Sequence, residues 1–250
     1  MEKITSSRNP RILAWRSLKD KKGRDAQDAF LVEGPKMVSE ALSSGFSVQA
    51  VLLRDGEQIS DDFPSSVPVF QLPSQLFQSV CNTKTPQGIA AVLSRRTLPL
   101  SGSRFLALDC IQDPGNMGTM IRTADAAGFD GLILSPDCVD IFSPKVLRAT
   151  MGSIFRMSFS FTLNLPSELR LLREKGFSIL SSQLDGDPFF ERAPLTAPYV
   201  LIVGNEGNGI SEPVKAEATH RFRLPMHGGA ESLNAAVAAG IMMYDLTKNT

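Results

Sequence analysis

The stretch FLALDCIQDPGNMGTMIRTADAAGFDGLIL, residues 105–134, contains the pattern that decides the fold of this chain. It opens with an apolar run, turns at Pro114 and Gly115 into a segment with helical spacing, and closes with a second apolar run. This order predicts two parallel strands joined by a crossover helix. Because both runs are almost continuously apolar, the strands are expected to be buried on both faces of a sheet.

The same alternation continues to the end of the chain. Further strand-like runs are FRMSFSF, FSILSS, YVLIVG and RFRLP, and the helical segments between and after them are SPKVLRATMG, ELRLLREKG and SLNAAVAAGIMMYDL. We therefore predict an α/β domain with a mostly parallel sheet over residues 105–250. In such sheets ligands bind at the carboxyl ends of the strands, so the loops that follow the strands are the place to look for a site.

The preceding residues predict a smaller α/β sandwich. Its strand-like runs are AFLVEG, VQAVLLR, VPVFQL and GIAAVLS, and its helical segments are PKMVSEALSSG and PSQLFQSV. In NPRILAWRSLKDKKG, Asn9 and Pro10 predict the start of a basic amphipathic helix. The composition of SRRTLPLSGSRF is typical of a linker, which places a first domain at residues 1–97, a linker at 98–104 and the second domain at 105–250.

Charge and cysteine content narrow the class of protein. The 250 residues include 26 basic and 26 acidic side chains, so total charge does not indicate nucleic acid. Residues 1–24 hold eight basic and two acidic side chains; such a cluster either neutralises phosphates or forms a solvated helix face, and both interpretations stay open. Three distant cysteines without C-x-x-C spacing, and an N-terminus without an apolar signal region, favour a reducing cytoplasm and no membrane.

Polar residues follow three of the predicted strands. After FLALDCI, the loop leads to Asn116 near a helix start and to Arg122 about two turns later. This loop has G-x-x-G spacing, and no acidic residue stands where a dinucleotide site would bind ribose, which disfavours a nicotinamide-dependent oxidoreductase. After YVLIVG, the loop NEGNGIS carries Glu206 among glycines and lacks the Lys-Ser/Thr of a triphosphate loop.

The third loop, MHGGA, follows RFRLP and leads into a helix. Ser232 is a candidate N-cap, Asn234 follows it, and the small residues of AAVAAG allow close packing in a core or a subunit interface. His227 has no partner at ligand spacing, so no metal site is predicted. The spacing supports no Ser-His-Asp arrangement either.

Taken in order, three stretches resemble the successive motifs of the SpoU (TrmH-type) RNA 2'-O-ribose methyltransferases of the SPOUT class. They are LDCIQDPGNMGTMIRTADAAGFDGLIL, LIVGNEGNGIS and RLPMHGGAESLNAAVAAGIMMYDL. SPKVLRATMGSIFRMSF, EGPKMVSEAL and TPQGIAAV also resemble the family, so the resemblance covers nearly the whole chain. It implies a deep trefoil knot in the second domain, S-adenosylmethionine (AdoMet) as cofactor with no metal, a homodimer formed through that domain, and an RNA substrate, ribosomal RNA before transfer RNA.

The resemblance also implies roles for individual residues. Asn116, Arg122, Glu206, Ser232 and Asn234 would form the catalytic group, and Gly204, Leu224, Met226 and Leu233 would contact AdoMet. The first domain resembles a substrate-binding domain with a fold like that of certain RNA-binding ribosomal proteins. The side chains expected to contact RNA are Arg8, Arg11, Lys36, Lys145 and Arg148.

The expected reaction is attack of a ribose 2'-oxygen on the methyl group of AdoMet. The family assigns proton removal to Arg122, but arginine is rarely neutral; this side chain either accepts the proton or holds a phosphate and stabilises negative charge on the oxygen. Two alternatives to the predicted activity remain: a non-catalytic RNA-binding protein on the same fold, and a SPOUT methyltransferase that modifies a base.

Overall fold

In a computed structural model of the chain, the described residues are 1–59, 63–96 and 99–248. Residues 97 and 98, where the predicted first domain meets the predicted linker, lie outside them. The chain forms two compact units. The first comprises Met1–Arg96 together with Phe142–Phe155, and the second comprises the remaining described residues.

The secondary structure alternates between strands and helices. In chain order the elements are β1 (Glu2–Lys3), α1 (Pro10–Ser17), α2 (Lys21–Gln27), β2 (Ala29–Glu33), α3 (Pro35–Ser43), β3 (Val48–Arg54), β4 (Val69–Leu72), α4 (Ser74–Val80), β5 (Ile89–Ser94), β6 (Arg104–Asp109), α5 (Pro114–Ala126), β7 (Gly131–Leu134), α6 (Pro144–Thr150), β8 (Ser158–Phe161), α7 (Leu165–Glu174), β9 (Ser178–Pro188), β10 (Tyr199–Gly204), α8 (Glu212–Lys215), β11 (His220–Arg223) and α9 (Ala235–Thr247). Short 3-10 turns occupy Ser153–Phe155 and Phe189–Glu191.

The first unit contains a five-stranded mixed sheet with the order β1-β4-β3-β5-β2. Strands β1 and β3 run parallel to β4, whereas β5 is antiparallel to both β3 and β2. The four strands predicted for this region are confirmed. Strand β1 and helix α2 were not predicted, because β1 consists of two exposed residues and α2 buries only Arg24, so neither has an apolar pattern.

Helix α1 starts as its sequence predicts. The side chain of Asn9 accepts a hydrogen bond from the backbone N of Arg11 at 2.9 Å, which satisfies one of the free amides of the first turn. Trp15 is buried, with its ring centroid 5.2 Å from that of Phe70 in the sheet. The helix ends at Ser17, so it covers only the first half of the predicted helical stretch.

Residues 142–155, which include α6, belong to the first unit although the strand-helix pattern placed them inside the second domain. Aromatic rings fix them there. The centroid of Phe142 lies 4.8 Å from that of Phe30 in β2, and Phe155 packs edge-on against Phe46 at 5.4 Å. All four side chains are buried. Such contacts join residues distant in sequence, so periodicity cannot reveal them.

The second unit contains a six-stranded sheet with the order β11-β9-β10-β6-β7-β8, and every pairing in it is parallel. The predicted parallel α/β arrangement is confirmed, and YVLIVG forms β10 as predicted. The run FRMSFSF was predicted as a strand from its first residue, which was wrong: Phe155 lies in a 3-10 turn, and β8 begins only at Ser158.

Strand β9 is longer and less regular than FSILSS predicted. Ser181 of β9 pairs with Arg221 of β11, but the next residue of β11, Phe222, pairs with Asp187 of β9. Residues 182–186 therefore leave the ladder between these two pairs. At Gly186 an added Cβ would overlap the backbone of Arg221 and Phe222. A larger residue would therefore push this part of β9 away from β11.

Helix α9 is almost entirely apolar but is buried along only one side. Ala239 and Met243 are fully buried, whereas Val237, Ile241 and Tyr244 expose about 50%, 38% and 54% of their surface. The exposed residues recur at helical spacing and therefore form a stripe. No helix within the described part of the chain is long and apolar enough to cross a membrane.

Candidate active site

The predicted catalytic and cofactor residues lie in the second unit, in or next to the loops that follow strands β6, β10 and β11. Strands β6 and β10 are neighbours and end level with each other, because Asp109 pairs in register with Gly204. The loops that follow these strands, residues 110–113 and 205–211, therefore begin side by side. The third loop, residues 224–234, runs from β11 to α9.

Three of the predicted catalytic residues form a continuous chain of hydrogen bonds. The amide Nδ2 of Asn116 donates to the Glu206 carboxylate at 3.0 Å. Its Oδ1 accepts from Nδ2 of Asn234 at 2.9 Å. We call Glu206, Asn116 and Asn234 the polar chain. Asn116 lies in the first turn of α5, Glu206 in the loop after β10 and Asn234 at the end of the third loop, so the polar chain ties together the three motifs of the sequence.

Capping interactions place two members of the polar chain. Asp113 is the N-cap of α5, and its carboxylate accepts from the backbone N of Asn116 at 2.8 Å. Asn234 is the N-cap of α9, with its Oδ1 accepting from the backbone N of Ala236 and Val237 at 3.0 and 3.2 Å. The prediction that Ser232 caps this helix was wrong, because the helix starts two residues later than the sequence pattern indicated.

The carboxylate of Glu206 is fixed by several donors. It accepts from Asn116 and also from the backbone N of Gln112 and Asp113, at 3.2 and 3.1 Å. Partial desolvation raises the pKa of Glu206, but these hydrogen bonds together outweigh it and hold the pKa below its usual value. Glu206 is therefore an ionised acceptor at neutral pH.

The loop after β10 folds back tightly on itself. Asn205 and Gly209 form an isolated antiparallel bridge, and Oδ1 of Asn205 accepts from the backbone N of Gly207 and Asn208, both at 3.0 Å. An added Cβ at Gly204 would overlap backbone atoms of Gly209. The glycine is thus required because two stretches of backbone pass at close range.

A cavity of about 420 Å³ adjoins this loop. The four residues expected to contact the cofactor all line it: Gly204, Leu224, Met226 and Leu233. Glu206 and Ser232 line it as well, so the polar chain meets the cavity at Glu206. Its mixed wall of backbone, apolar side chains and a few polar groups is typical of a site for a small organic ligand.

The remaining predicted catalytic residues are not joined to the polar chain. Arg122 is exposed on α5 and makes no hydrogen bond or ion pair with any described residue. Ser232 borders the cavity, but its hydroxyl likewise has no partner among the described residues. Both side chains are therefore free to contact a ligand.

Two features of this region were not predicted from the sequence. Asp109 is buried, and its Oδ2 accepts from the backbone N of Ser211 at 2.8 Å, so it anchors the far end of the loop after β10. The sequence did indicate Asp109, since it is a charged residue at the carboxyl end of a buried strand. The irregular part of β9, residues 182–186, also borders the cavity through Leu184 and Asp185, and nothing in its composition indicated this.

The predicted RNA-contacting residues all belong to the first unit: Arg8, Arg11, Lys36, Lys145 and Arg148. All five are exposed. Arg11 pairs with Glu2 at 3.0 Å, and its guanidinium lies 4.8 Å from the Phe70 ring centroid. Arg24, part of the basic cluster of residues 1–24, is instead buried and donates to the carbonyl of Leu18, so that cluster is partly structural.

Comparison with known proteins shows the family to which the chain belongs. Residues 103–244 match the model of the SpoU rRNA Methylase family, and residues 9–91 match an MRM3-like substrate binding domain. The chain belongs to the SpoU rRNA methylase family. A curated relative, the 23S rRNA (guanosine(2553)-2'-O)-methyltransferase RlmP of Bacillus subtilis, is 38% identical over 98% of this chain and 99% of its own length.

Solved structures resemble the whole chain. An AdoMet-bound rRNA methyltransferase from Sinorhizobium meliloti superposes with a TM-score of 0.88 at 31% identity, covering 99% of this chain and 98% of the other. The SpoU methyltransferase AviRb from Streptomyces viridochromogenes, in complex with AdoMet, gives 0.85 at 27% identity, covering 97% and 98%. Both proteins bind the cofactor that the sequence motifs imply.

Proposed function

We propose that this protein transfers a methyl group from AdoMet to a ribose 2'-hydroxyl of large-subunit ribosomal RNA. One observation carries the proposal: the polar chain of Glu206, Asn116 and Asn234 meets, at Glu206, the cavity lined by the four expected cofactor residues. The named activities of the relatives support the reaction type and the RNA class.

The cavity fits AdoMet in size and chemistry. Leu224, Met226 and Leu233 supply apolar contacts, and residues 204–210 form part of the wall. We further propose that the loops of residues 204–211 and 224–234 belong to a deep trefoil knot. The match of residues 103–244 to the SpoU rRNA Methylase family supports this, since the resemblance of the sequence motifs to that family implies such a knot.

When bound, AdoMet supplies an electrophilic methyl group, so the ribose 2'-oxygen forms the new bond to carbon while the carbon–sulfur bond breaks and its electron pair stays on sulfur. The protein must align the acceptor and help its proton to leave. We assign orientation of the ribose to the polar chain and Ser232. Arg122, exposed and without a protein partner, is assigned to bind the neighbouring phosphate and stabilise the developing negative charge, and the proton passes to water.

We also propose that two copies pair through α9, in the cytoplasm. The stripe of Val237, Ile241 and Tyr244 leaves apolar surface in water that a second copy would cover. The first unit is proposed to bind the RNA through its exposed basic side chains, in keeping with the substrate-binding domain that residues 9–91 match.

The test is methylation of unmodified large-subunit RNA with methyl-labelled AdoMet. A 2'-O-methyl group makes the adjacent phosphodiester resistant to alkali, so the label is expected in dinucleotides after alkaline hydrolysis. Label released in mononucleotides would mean base methylation and overturn the proposal. Absence of AdoMet binding by calorimetry would instead favour a non-catalytic RNA-binding protein.

A further inference from the structure

A second cavity, of about 320 Å³, adjoins the polar chain in the same unit. Asp109, Cys110 and Gln112 border it from the loop after β6, and Asp137 borders it from the loop after β7. Asn208 borders it from the loop after β10. The same loop lines the cavity of about 420 Å³ that we propose binds AdoMet, which we call the cofactor cavity. Because the backbone N of Gln112 donates to Glu206, this second cavity lies directly beside the polar chain.

Some groups around the second cavity hold the loops together. Asp109 accepts from the backbone N of Ser211, and Nδ2 of Asn205 donates to the Cys110 carbonyl at 2.8 Å. These hydrogen bonds tie the loop after β6 to the loop after β10. Part of the cavity wall is therefore built by polar groups that are already hydrogen-bonded to one another.

Three other side chains around the second cavity are uncommitted. The side-chain amides of Gln112 and Asn208 make no hydrogen bond with any described residue, and the Asp137 carboxylate meets only the Cys110 thiol, at 4.0 Å. Burial raises the pKa of that thiol, so it adds no negative charge. One carboxylate and two amides thus face the cavity with their hydrogen-bonding capacity free.

The charges restrict what the second cavity can hold. Two carboxylates, Asp109 and Asp137, border it and no basic side chain among the described residues does, so a phosphate group would be repelled. A neutral ligand with adjacent N–H donors suits it. Among the four RNA bases only guanine presents two neighbouring donors, N1–H and the 2-amino group, to the two oxygens of one carboxylate, with an acceptor, O6, beside them.

We propose that the second cavity binds the base of the target nucleotide and that this base is guanine. The inference rests on the proposed function, because the ribose of that nucleotide must reach the polar chain. The Asp137 carboxylate accepts hydrogen bonds from N1–H and the 2-amino group of guanine. The side-chain amide of Gln112 donates to O6 of the same base. Reading an extruded base by its pairing edge is a general strategy of enzymes that modify nucleotides.

The first experiment maps the methylated nucleotide in large-subunit RNA treated with the wild-type protein and AdoMet. A methylated guanosine is expected. Methylation of adenosine, cytidine or uridine would overturn the guanine proposal and leave the methyltransferase function standing. No ribose methylation at all would be the failure of the proposed function itself, so the two outcomes are distinguishable.

The second experiment pairs a protein change with a substrate change. Asp137→Asn replaces one acceptor oxygen by an N–H donor, which would face the donor 2-amino group of guanine. For RNA with guanosine at the mapped position, kcat/KM is therefore expected to fall roughly 5- to 150-fold. With inosine, which lacks the 2-amino group, at the mapped position, wild type is expected to lose about tenfold or more. The Asp137→Asn variant should show little or no such loss.

Equal inosine effects in wild type and Asp137→Asn would overturn the assignment of Asp137. Asp187→Asn is the matched control, because Asp187 is an exposed carboxylate of the same unit that lines neither this cavity nor the cofactor cavity. It is expected to keep the wild-type rate on both RNAs. AdoMet affinity, measured by calorimetry, should be unchanged in both variants, which separates base recognition from damage to the cofactor site.

Discussion

At the residue scale, the polar chain depends on the direction of two side-chain amides. Ionised Glu206 can only accept, so it fixes Nδ2 of Asn116 towards itself and Oδ1 towards Asn234. A donor is then required at Asn234. The same residue caps α9 through its own Oδ1, so one side chain serves both the site and the helix.

Substitutions at Asn234 should separate these two roles. Asn234→Asp keeps an N-cap oxygen but loses the donor, so kcat is expected to fall at least tenfold while the free energy of unfolding stays close to wild type. Asn234→Ala should lose activity and also about 1 kcal/mol of stability, because the cap is gone. Initial rates and urea unfolding measure both effects. A fully active Asn234→Asp variant would contradict the role of the polar chain.

The hydrogen bonds to Glu206 predict a pH dependence. Its pKa is lower in the folded protein than the usual value of about 4.3 in an unfolded chain. The stabilisation is therefore present above the unfolded pKa and is lost as the pH falls through the folded pKa. The difference in unfolding free energy between wild type and Glu206→Gln should be largest near neutral pH and shrink below about pH 4. A constant difference would argue against this account.

The role of Arg122 can be tested by its conservative replacement. If the guanidinium holds phosphate and stabilises charge, Arg122→Lys keeps a cation, so the shape of the pH-rate profile should be retained while KM for RNA rises several-fold. The Arg122→Ala variant, which keeps no cation at this position, should lose much more activity. A pH-rate profile shifted towards lower pH in Arg122→Lys would instead indicate that this side chain takes up the proton.

At the scale of elements, apolar periodicity predicted most of the second unit. The buried strands β6, β7 and β10 are continuous apolar runs, and their parallel pairing followed from the helices between them. Periodicity missed what depends on distant contacts: it predicted the helix α6 but not that α6 packs in the first unit, and it did not predict the irregular part of β9. The motif residues could be named from the sequence, but the hydrogen bond from Asn116 to Glu206 joins positions 90 residues apart and required the fold.

The exposed stripe of α9 leads to a prediction about assembly. Val237→Glu places a charge within the stripe and should convert the proposed dimer to a monomer, because burying an unpaired carboxylate is costly. Leu171→Glu, at a similarly exposed position of α7, is the control and should leave the oligomeric state unchanged. Sedimentation velocity of both variants gives the answer. A monomeric wild type would refute pairing through α9.

At the scale of the whole molecule, the chain leaves the second unit after β7, contributes Phe142–Phe155 to the first, and returns for β8. The first unit is therefore incomplete in residues 1–96. Its Phe30 and Phe46 are buried in part by rings from the later segment. A fragment that stops near residue 96 should expose these rings and bind the hydrophobic dye ANS more strongly than the full chain does.

Phe142→Ala in the full chain tests the same idea without truncation. Removing a buried ring that packs against Phe30 is expected to cost about 3–5 kcal/mol in the first unit. Since the cofactor cavity is built from second-unit residues, AdoMet affinity should be nearly unchanged at temperatures where the variant stays folded. Thermal unfolding measures the loss of stability, and calorimetry measures the AdoMet affinity. A large loss of AdoMet affinity alongside the loss of stability would contradict this and would mean that the two units fold as one cooperative whole. Residues 142–155 would then couple the first unit to the cofactor cavity.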